Sequence, residues 1–361
     1  MNVLITGATG FIGSELARHF IADANVDRIF LLIRPSYAQS AIEKFSRVVG
    51  YWRKFYLIDQ HLLGKVEIIS YDLAHNYHPV DFSSVDYAFH CAASTDFGLG
   101  LSESRENNLY ATQKLAALLR PSSRFKRLVH VSTAFVNGTR RGNVLESDKP
   151  RSFNNTYEKS KFEAEVTVKE SGLPYTIVRP SIVVGDSRDG YVRGFKILYT
   201  LLKIWISGRV PRAPIDKKSK VDIVPVDYVV KSMIMMAQDR ECLNEVFHLC
   251  SGSKSASPMD VFRYAITVFS LKKPALAPAW MIRVLRIKMM RPFIGYYLVQ
   301  VLDLLKWHLP YLGSRNRVFS TEKSDKILSK YNIECPTLDF YGETMFKFCR
   351  DSSWGKRALI K

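Results

Sequence analysis

The chain has 361 residues, 47% of them hydrophobic, with five cysteines and a formal net charge of +18. That much apolar material excludes a disordered chain and allows one large core plus a smaller one. An odd number of cysteines at no ligand spacing (Cys91, Cys242, Cys250, Cys335, Cys349) argues against a disulfide scaffold or a metal site. It predicts reduced thiols and a cytoplasmic location. The sequence enters its first strand at once, which predicts no signal peptide.

The placement of charge is more informative than its size. Residues 188–220 carry nine Lys/Arg against two Asp/Glu, and residues 271–361 carry seventeen against seven. Nearly all the excess therefore lies in two late segments. Such a surface suits an acidic partner: the phosphates of coenzyme A, an acidic carrier protein, or peripheral contact with an anionic membrane. The plainer alternative is a solubilising surface. No nucleic-acid-binding motif accompanies the charge.

In chain order, Val3, Leu4 and Ile5 read as a short buried strand, and Ser14 to Ala24 as a helix. Between them lie Gly7, Thr9, Gly10, Phe11, Ile12 and Gly13. A strand that turns through glycines into a helix is a dinucleotide cradle. The turn needs dihedrals that glycine tolerates, the backbone must approach a pyrophosphate, and the helix start offers free N–H groups. Arg28 to Arg34 is the second strand. It ends on Arg34, Pro35 and Ser36 with no nearby acid, which favours the 2′-phosphate of NADPH over the bare ribose of NADH.

Apolar positions at helical spacing over residues 39–63 predict a crossover helix. Lys65 to Tyr71 is the third strand, running into Asp72 and Leu73, where an acid can accept from the adenine amino group. Val85 to Ala92 is the fourth. Ala92 and Ala93 are small enough for the backbone to pass beside the cofactor, and His90 and Cys91 read as core residues. Glu103 to Leu119 is a helix with Asn107 and Asn108 near its start. Leu128 to Ala134 is the fifth strand and delivers Ser132 and Thr133 to the edge where open parallel sheets bind ligands.

Asn154 to Ser171 predicts a helix carrying Tyr157 and Lys161 on one face, four residues apart. A phenol normally titrates near 10, and a neighbouring ammonium favours its ionised form. Tyr157 is then placed to protonate a carbonyl oxygen that Thr133 also holds. A second Tyr-x-x-x-Lys, Tyr199 and Lys203, falls in an apolar helix and reads as a core residue and a snorkelling one. Tyr175 to Gly185 is the sixth strand, in which Pro180, Ser181, Ile182 and Val183 leave backbone groups for the nicotinamide amide. Val221 to Val226 is a further apolar run, Asp227 caps a helix through Met236, and Val246 to Cys250 is the last strand.

Met259 to Phe269 is a helix. Residues 274–312 mix aromatic and cationic residues, and their longest uncharged run, Pro292 to Leu302, is too short to span a bilayer. The stretch reads as a helical cap, a channel wall or a membrane-surface contact. The fold class is α/β, a doubly wound Rossmann sheet with a smaller, mostly helical C-terminal region. Residues 1–187 and 221–256 form the dinucleotide domain, and 188–220 with 257–361 the basic, apolar substrate region.

As a set, several stretches resemble extended short-chain dehydrogenase/reductases. They are Gly7 to Gly13, the Arg34 strand end, Asp72-Leu73, His90 to Phe97, Val131 to Asn137, Arg179 to Val183 and Asp222 to Val230. Within that group they resemble the fatty acyl-CoA reductase and thioester reductase branch. The resemblance covers roughly residues 1–255. It implies that Thr133, Tyr157 and Lys161 are the catalytic set, with Lys161 also holding the ribose. It places cofactor contacts at Gly7, Gly10, Gly13, Arg34, Asp72, Ala92 and Asn108, although Ala111 stands where the family has Gly. The implied activity is NADPH-dependent reduction of a long acyl thioester, on coenzyme A or an acyl-carrier protein, to the aldehyde and in some members on to the alcohol. Two rivals stay open on the same fold: an epimerase or ketoreductase acting on a sugar nucleotide or sterol-like ketone, and a non-catalytic NADP sensor. Nothing in the sequence sets the oligomeric state.

Overall fold

Seven apolar runs align side by side. β1 (Asn2–Thr6), β2 (Arg28–Ile33), β3 (Val66–Ser70), β4 (Tyr87–His90), β5 (Arg127–Val131), β6 (Tyr175–Pro180) and β7 (Glu245–Leu249) form one parallel sheet in the order β7-β6-β5-β4-β1-β2-β3. The computed structural model describes residues 1–56, 60–76, 78–195, 198–207, 212–214, 219–272, 275–277 and 317–356. The strands read as continuous Val, Ile, Leu and Phe because helices cover both faces of a parallel sheet. After β3 the chain returns to the other side of β1 to lay down β4. The crevice at the carboxyl ends of β1 and β4 is the switch point where such sheets take ligands.

One face is covered by α1 (Phe11–Ala22), α2 (Ala41–Phe55) and α7 (Val226–Gln238), with Phe20, Trp52 and Met233 fully buried. The other takes Leu115 and Leu119 of α4 (Ala111–Leu119) and Val168 of α5 (Thr156–Glu170). A third apolar cluster joins α6 (Leu198–Ile206), α8 (Pro258–Phe269) and α10 (Leu338–Asp351) through Tyr199, Phe262 and Phe346. Burying each such aromatic contributes about 1.5–3 kcal/mol. The late helix α9 (Glu322–Ser329) packs Ile327 and Leu328 onto the first cluster.

Several expectations are corrected. α1 begins at Phe11 rather than Ser14, so Gly13 lies inside its first turn. The crossover helix stops at Phe55, and a separate 3-10 turn covers Gln60–Lys65. The helix expected from Glu103 starts earlier, as α3 (Leu101–Arg105), and passes through one π-helical turn, Glu106–Tyr110, before α4. The expected single strand Tyr175 to Gly185 is two. β6 ends at Pro180, and Ile182–Val184 pairs instead with Ile223–Pro225. A proline has no N–H to extend the ladder, so the chain changes partner there, with Ile182 N donating to Asp222 O. Asp227 is not a cap. Pro225 occupies that position, and the Asp227 carboxylate accepts from Ser187 N at 2.9 Å and Ser187 Oγ at 2.7 Å.

Most of the aromatic and cationic stretch 274–312 lies outside the described residues. Of it, Ala275–Ala277 forms a short parallel pair with Arg212–Pro214. Among the described residues no helix is long and apolar enough to cross a membrane, and none of the five cysteines is in a disulfide.

Candidate active site

A cavity of about 490 Å³ opens at the carboxyl ends of β1, β4 and β5. Its floor is the first turn of the chain. Gly7 has φ +71°, and a Cβ there would sit 2.6 Å from Ala92 N. A Cβ on Gly13 would sit 2.3 Å from Gly7 O. Both positions therefore require glycine on contact grounds, and Gly7 on dihedral grounds as well. Gly10 is the N-cap of α1 and supplies no side-chain cap, so the first N–H groups of the helix are left for a ligand. Thr9, Gly10, Phe11 and Ile12 line the cavity as expected. This cradle fits the diphosphate of a dinucleotide.

The second wall is the end of β4, held to β1 by a chain of buried hydrogen bonds. Thr112 Oγ1 donates to Asn108 O at 2.6 Å and so accepts from His90 Nε2 at 2.9 Å. That leaves His90 Nδ1 to accept from Thr6 Oγ1 at 2.7 Å, and Thr6 Oγ1 in turn accepts from Ala92 N at 3.2 Å. The network assigns the tautomer. His90 is a structural residue, as expected, and burial pushes its pKa down to about 3. Cys91 borders the cavity with its thiol pushed up to about 12 by burial, which fits a packing role. Ala93 lines the cavity. Ala92 does not, but its backbone is what Gly7 abuts.

Thr133, Tyr157 and Lys161 come together on the third wall with Ser132. Thr133 leaves β5 in an extended conformation and caps the turn Ala134–Asn137, its Oγ1 accepting from Phe135 N at 3.3 Å. Asn155 caps α5 by accepting from Glu158 N at 3.0 Å, which sets Tyr157 in the first turn and Lys161 one turn on. Burial raises the Tyr157 phenol and Glu158 adds to the rise, while the Thr133 hydroxyl draws it down. The expectation that the Lys161 ammonium lowers it is corrected for the ligand-free cleft. Lys161 is itself buried and pushed down to about 8, and its Nζ donates to Val131 O at 2.8 Å. Pro180, Ser181, Ile182 and Val183 close the cavity beyond.

Other expected contacts lie elsewhere. Asn108 is 1% exposed and outside the cavity lining. Its Oδ1 accepts from Ser94 N at 2.8 Å and its Nδ2 donates to Ser160 Oγ at 2.9 Å, so it ties the β4 end to α5. The π-helical turn aims it inward. Arg34 is exposed, with Nη1 donating to Asn107 Oδ1 at 2.7 Å, and Lys44 Nζ donates to Arg34 O at 2.8 Å. Ser36 lies in the same exposed turn. Asp72 lies outside the cavity lining and braces its own turn: Oδ1 accepts from Ala74 N at 2.9 Å and Oδ2 lies 3.0 Å from His75 Nδ1. Leu73 is a core residue.

The sequence reading missed Thr95, Phe97, Phe135, Arg193, Gly194 and Leu198, which also line the cavity. Tyr199 joins them. It is a core residue as expected, its hydroxyl accepting from Gly185 N at 2.9 Å, and Lys203 is exposed. Phe97 packs on Tyr157 with ring centroids 5.4 Å apart. These aromatic and aliphatic side chains make the cleft greasy beside its Thr–Tyr–Lys wall.

Residues 5–233 match the NAD-binding family described as "Male sterility protein". Among curated proteins, the chain is 26% identical over 333 residues to a putative fatty acyl-CoA reductase of Drosophila melanogaster, covering 77% of this chain and 64% of that one. It is 27% identical over 284 residues to fatty acyl-CoA reductase 1 of Xenopus laevis, covering 65% and 54%. It thus spans between half and two thirds of the length of these relatives. Among solved structures, the terminal R domain from the myxalamid PKS-NRPS pathway superposes with a TM-score of 0.78 at 23% identity, covering 100% of this chain and 92% of that one. The NAD complex of UDP-glucuronic acid 4-epimerase from Bacillus cereus superposes at 0.70 and 18%, covering 99% and 100%. Both likenesses concern the fold. The family match spans the glycine cradle and the Thr133–Tyr157–Lys161 wall alike, and the chain belongs to the male sterility protein family, the fatty acyl-CoA reductase and thioester reductase-like branch of the extended short-chain dehydrogenase/reductases.

Proposed function

We propose that this chain is an NADPH-dependent reductase of a long-chain fatty acyl thioester, carried on coenzyme A or an acyl-carrier protein. The carrying observation is one cavity that holds the glycine cradle, the Thr133–Tyr157–Lys161 set and an apolar wall of Phe97, Phe135 and Leu198. Relatives named as fatty acyl-CoA reductases support the substrate class.

The nicotinamide, when bound, supplies a hydride to the thioester carbonyl carbon. Thr133 and Tyr157 hold the carbonyl oxygen as negative charge develops there. Burial keeps the Tyr157 phenol protonated, so it is ready to give its proton to that oxygen, forming a hemithioacetal. Lys161 holds the ribose, and the Thr133 hydroxyl is what draws the Tyr157 phenol toward its ionised form. The phenolate then takes the hydroxyl proton back as the C–S bond breaks, and the aldehyde and a thiolate leave, the thiolate taking its proton from solvent. Reduction on to the alcohol would need a second NADPH and a proton, which Tyr157 would give to the aldehyde oxygen.

Arg34, Ser36 and Lys44 form the basic turn that supports a 2′-phosphate. The substrate region is assigned to 188–220 and 257–361, where the basic excess suits an acidic carrier or peripheral contact with an anionic membrane. Unpaired cysteines support a cytoplasmic location.

The test is NADPH oxidation against a panel of acyl-CoA and acyl-carrier thioesters, with sugar nucleotides and ketones as controls and products identified. Turnover with long acyl thioesters is expected. Turnover only with the controls, or with none of the panel, sinks the reading.

A further inference from the structure

Arg193 is a charge in the cavity wall that the mechanism above does not use. It lies between Ile182–Val184 and α6 and faces the same cavity as the glycine turn. Its Nη1 is buried with no hydrogen-bond partner among the described residues. Burial lowers its pKa, and the groups that offset this are the Tyr191 and Tyr51 phenols and Glu15. Glu15 attracts Arg18 as well as Arg193, and its Oε1 is buried with no hydrogen-bond partner among the described residues. Its Oε2 accepts from both Arg18 Nη2 at 2.8 Å and Arg18 Nε at 3.0 Å. The Arg18 guanidinium also covers the Tyr56 ring at 4.1 Å.

Arg193 is half-buried, and a buried N–H left without an acceptor costs free energy, so its Nη1 marks a place where a ligand oxygen completes a hydrogen bond. The location says what kind of ligand. Glu15 stands two residues beyond Gly13, on the first turns of α1, and that helix offers uncapped N–H groups to the same cavity. Arg193 and that uncapped turn therefore border one cavity. A guanidinium meets phosphate oxygens with paired N–H donors, which an ammonium does not reproduce.

We propose that Arg193 is a phosphate-binding residue of the reaction cleft, joining the glycine turn and the α1 N-terminus around the diphosphate of the dinucleotide. The proposal rests on the dinucleotide half of the function above and is independent of the acyl substrate. A phosphate of the coenzyme A or carrier arm has the same chemistry, and the experiment separates the two sources.

Binding of NADPH to the intact chain is titrated by nucleotide fluorescence, without any thioester, for wild type, Arg193→Gln and Arg193→Lys. The unfolding temperature is measured with and without NADPH. The ligand-free unfolding temperature of Arg193→Gln is expected to be unchanged or higher, because a buried donor without an acceptor has been removed. Its NADPH dissociation constant is expected to rise at least about tenfold, with the NADPH-induced thermal shift reduced to match and Arg193→Lys in between. A structural role would instead lower the ligand-free unfolding temperature and leave the titration alone, which overturns the proposal. In the second arm, KM is compared for acyl-CoA and for the phosphate-free acyl-pantetheine thioester. If NADPH binds all variants equally and only the acyl-CoA KM rises, the phosphate is the substrate's and the dinucleotide assignment is overturned. If neither binding changes, so is the phosphate role. A chain that binds NADPH through Arg193 yet reduces no thioester would sink the substrate reading alone.

Discussion

Lys161 donates its Nζ to the carbonyl oxygen of Val131 at 2.8 Å, with His130 Nε2 3.3 Å away. The lysine of α5 is thereby pinned to the carboxyl end of β5, two residues before Thr133. Lys161 is 1% exposed, and burial pushes its pKa down to about 8, against which Glu165 and Cys91 act.

That burial has a stability signature. Unfolded, the ammonium titrates near 10.4. Between about pH 8 and that value the unfolded chain holds a proton the folded chain has lost, so stability rises with pH across the window. Lys161→Met lacks this term. Urea unfolding of the two proteins is expected to show wild type gaining on the variant by about 3 kcal/mol between pH 8 and pH 10.5. A difference that stays flat over that range would remove the lysine's buried titration from the account.

Tyr157→Phe keeps the ring that packs on Phe97 at 5.4 Å and removes the hydroxyl proposed as the acid. With burial holding the phenol protonated, kcat should fall roughly 10²- to 10⁴-fold while NADPH binding and the unfolding temperature hold. Single-turnover kinetics beside a binding titration checks this. A variant that retains its cellular role without turnover would favour the non-catalytic NADP sensor instead.

The parts legible in the sequence are those written locally. Gly7, Gly10 and Gly13 sit in one turn, Tyr157 and Lys161 in one helix, and Thr133 at the end of one strand, so spacing alone assembles most of the site. Arg193, Phe97 and Leu198 reach it only through the fold, across gaps that no periodicity bridges. The π-helical turn at Glu106–Tyr110 leaves the surrounding helical pattern intact and was invisible for that reason. Asp72 has the right place after β3, yet its carboxylate caps its own turn through Ala74 N, a local competition that the strand-end rule omits. Pro180 signals the end of a pairing, but no local pattern shows that the chain resumes at once on a different partner strand.

Two glycines give a paired test of backbone contact. A methyl on Gly13 meets Gly7 O at 2.3 Å, whereas one on Gly50, in the middle of α2, meets nothing within 4 Å. Gly13→Ala should therefore destabilise by about 1–3 kcal/mol and weaken dinucleotide binding. Gly50→Ala should stabilise by about 0.5–1 kcal/mol with binding unchanged. Thermal unfolding with and without NADPH reads both, and equal effects would mean that the turn does not need the close approach.

The proposed preference for NADPH rests on Arg34. Its guanidinium is exposed, oriented by Asn107 Oδ1 at 2.7 Å, and its own carbonyl holds Lys44 Nζ at 2.8 Å, so two cations flank the turn that contains Ser36. Burial and the Arg34 charge lower the Lys44 pKa, which marks how closely these cations crowd. A 2′-phosphate relieves that repulsion, whereas a bare 2′-hydroxyl does not. Arg34→Leu should reduce the NADPH preference, measured as the ratio of kcat/KM for NADPH to that for NADH, by roughly 10- to 100-fold, mostly through KM for NADPH. Raising the salt concentration should narrow the gap between wild type and variant, because the contact is exposed and screened. If the ratio does not move, the 2′-phosphate is held elsewhere and the strand-end arginine is only a brace for Asn107.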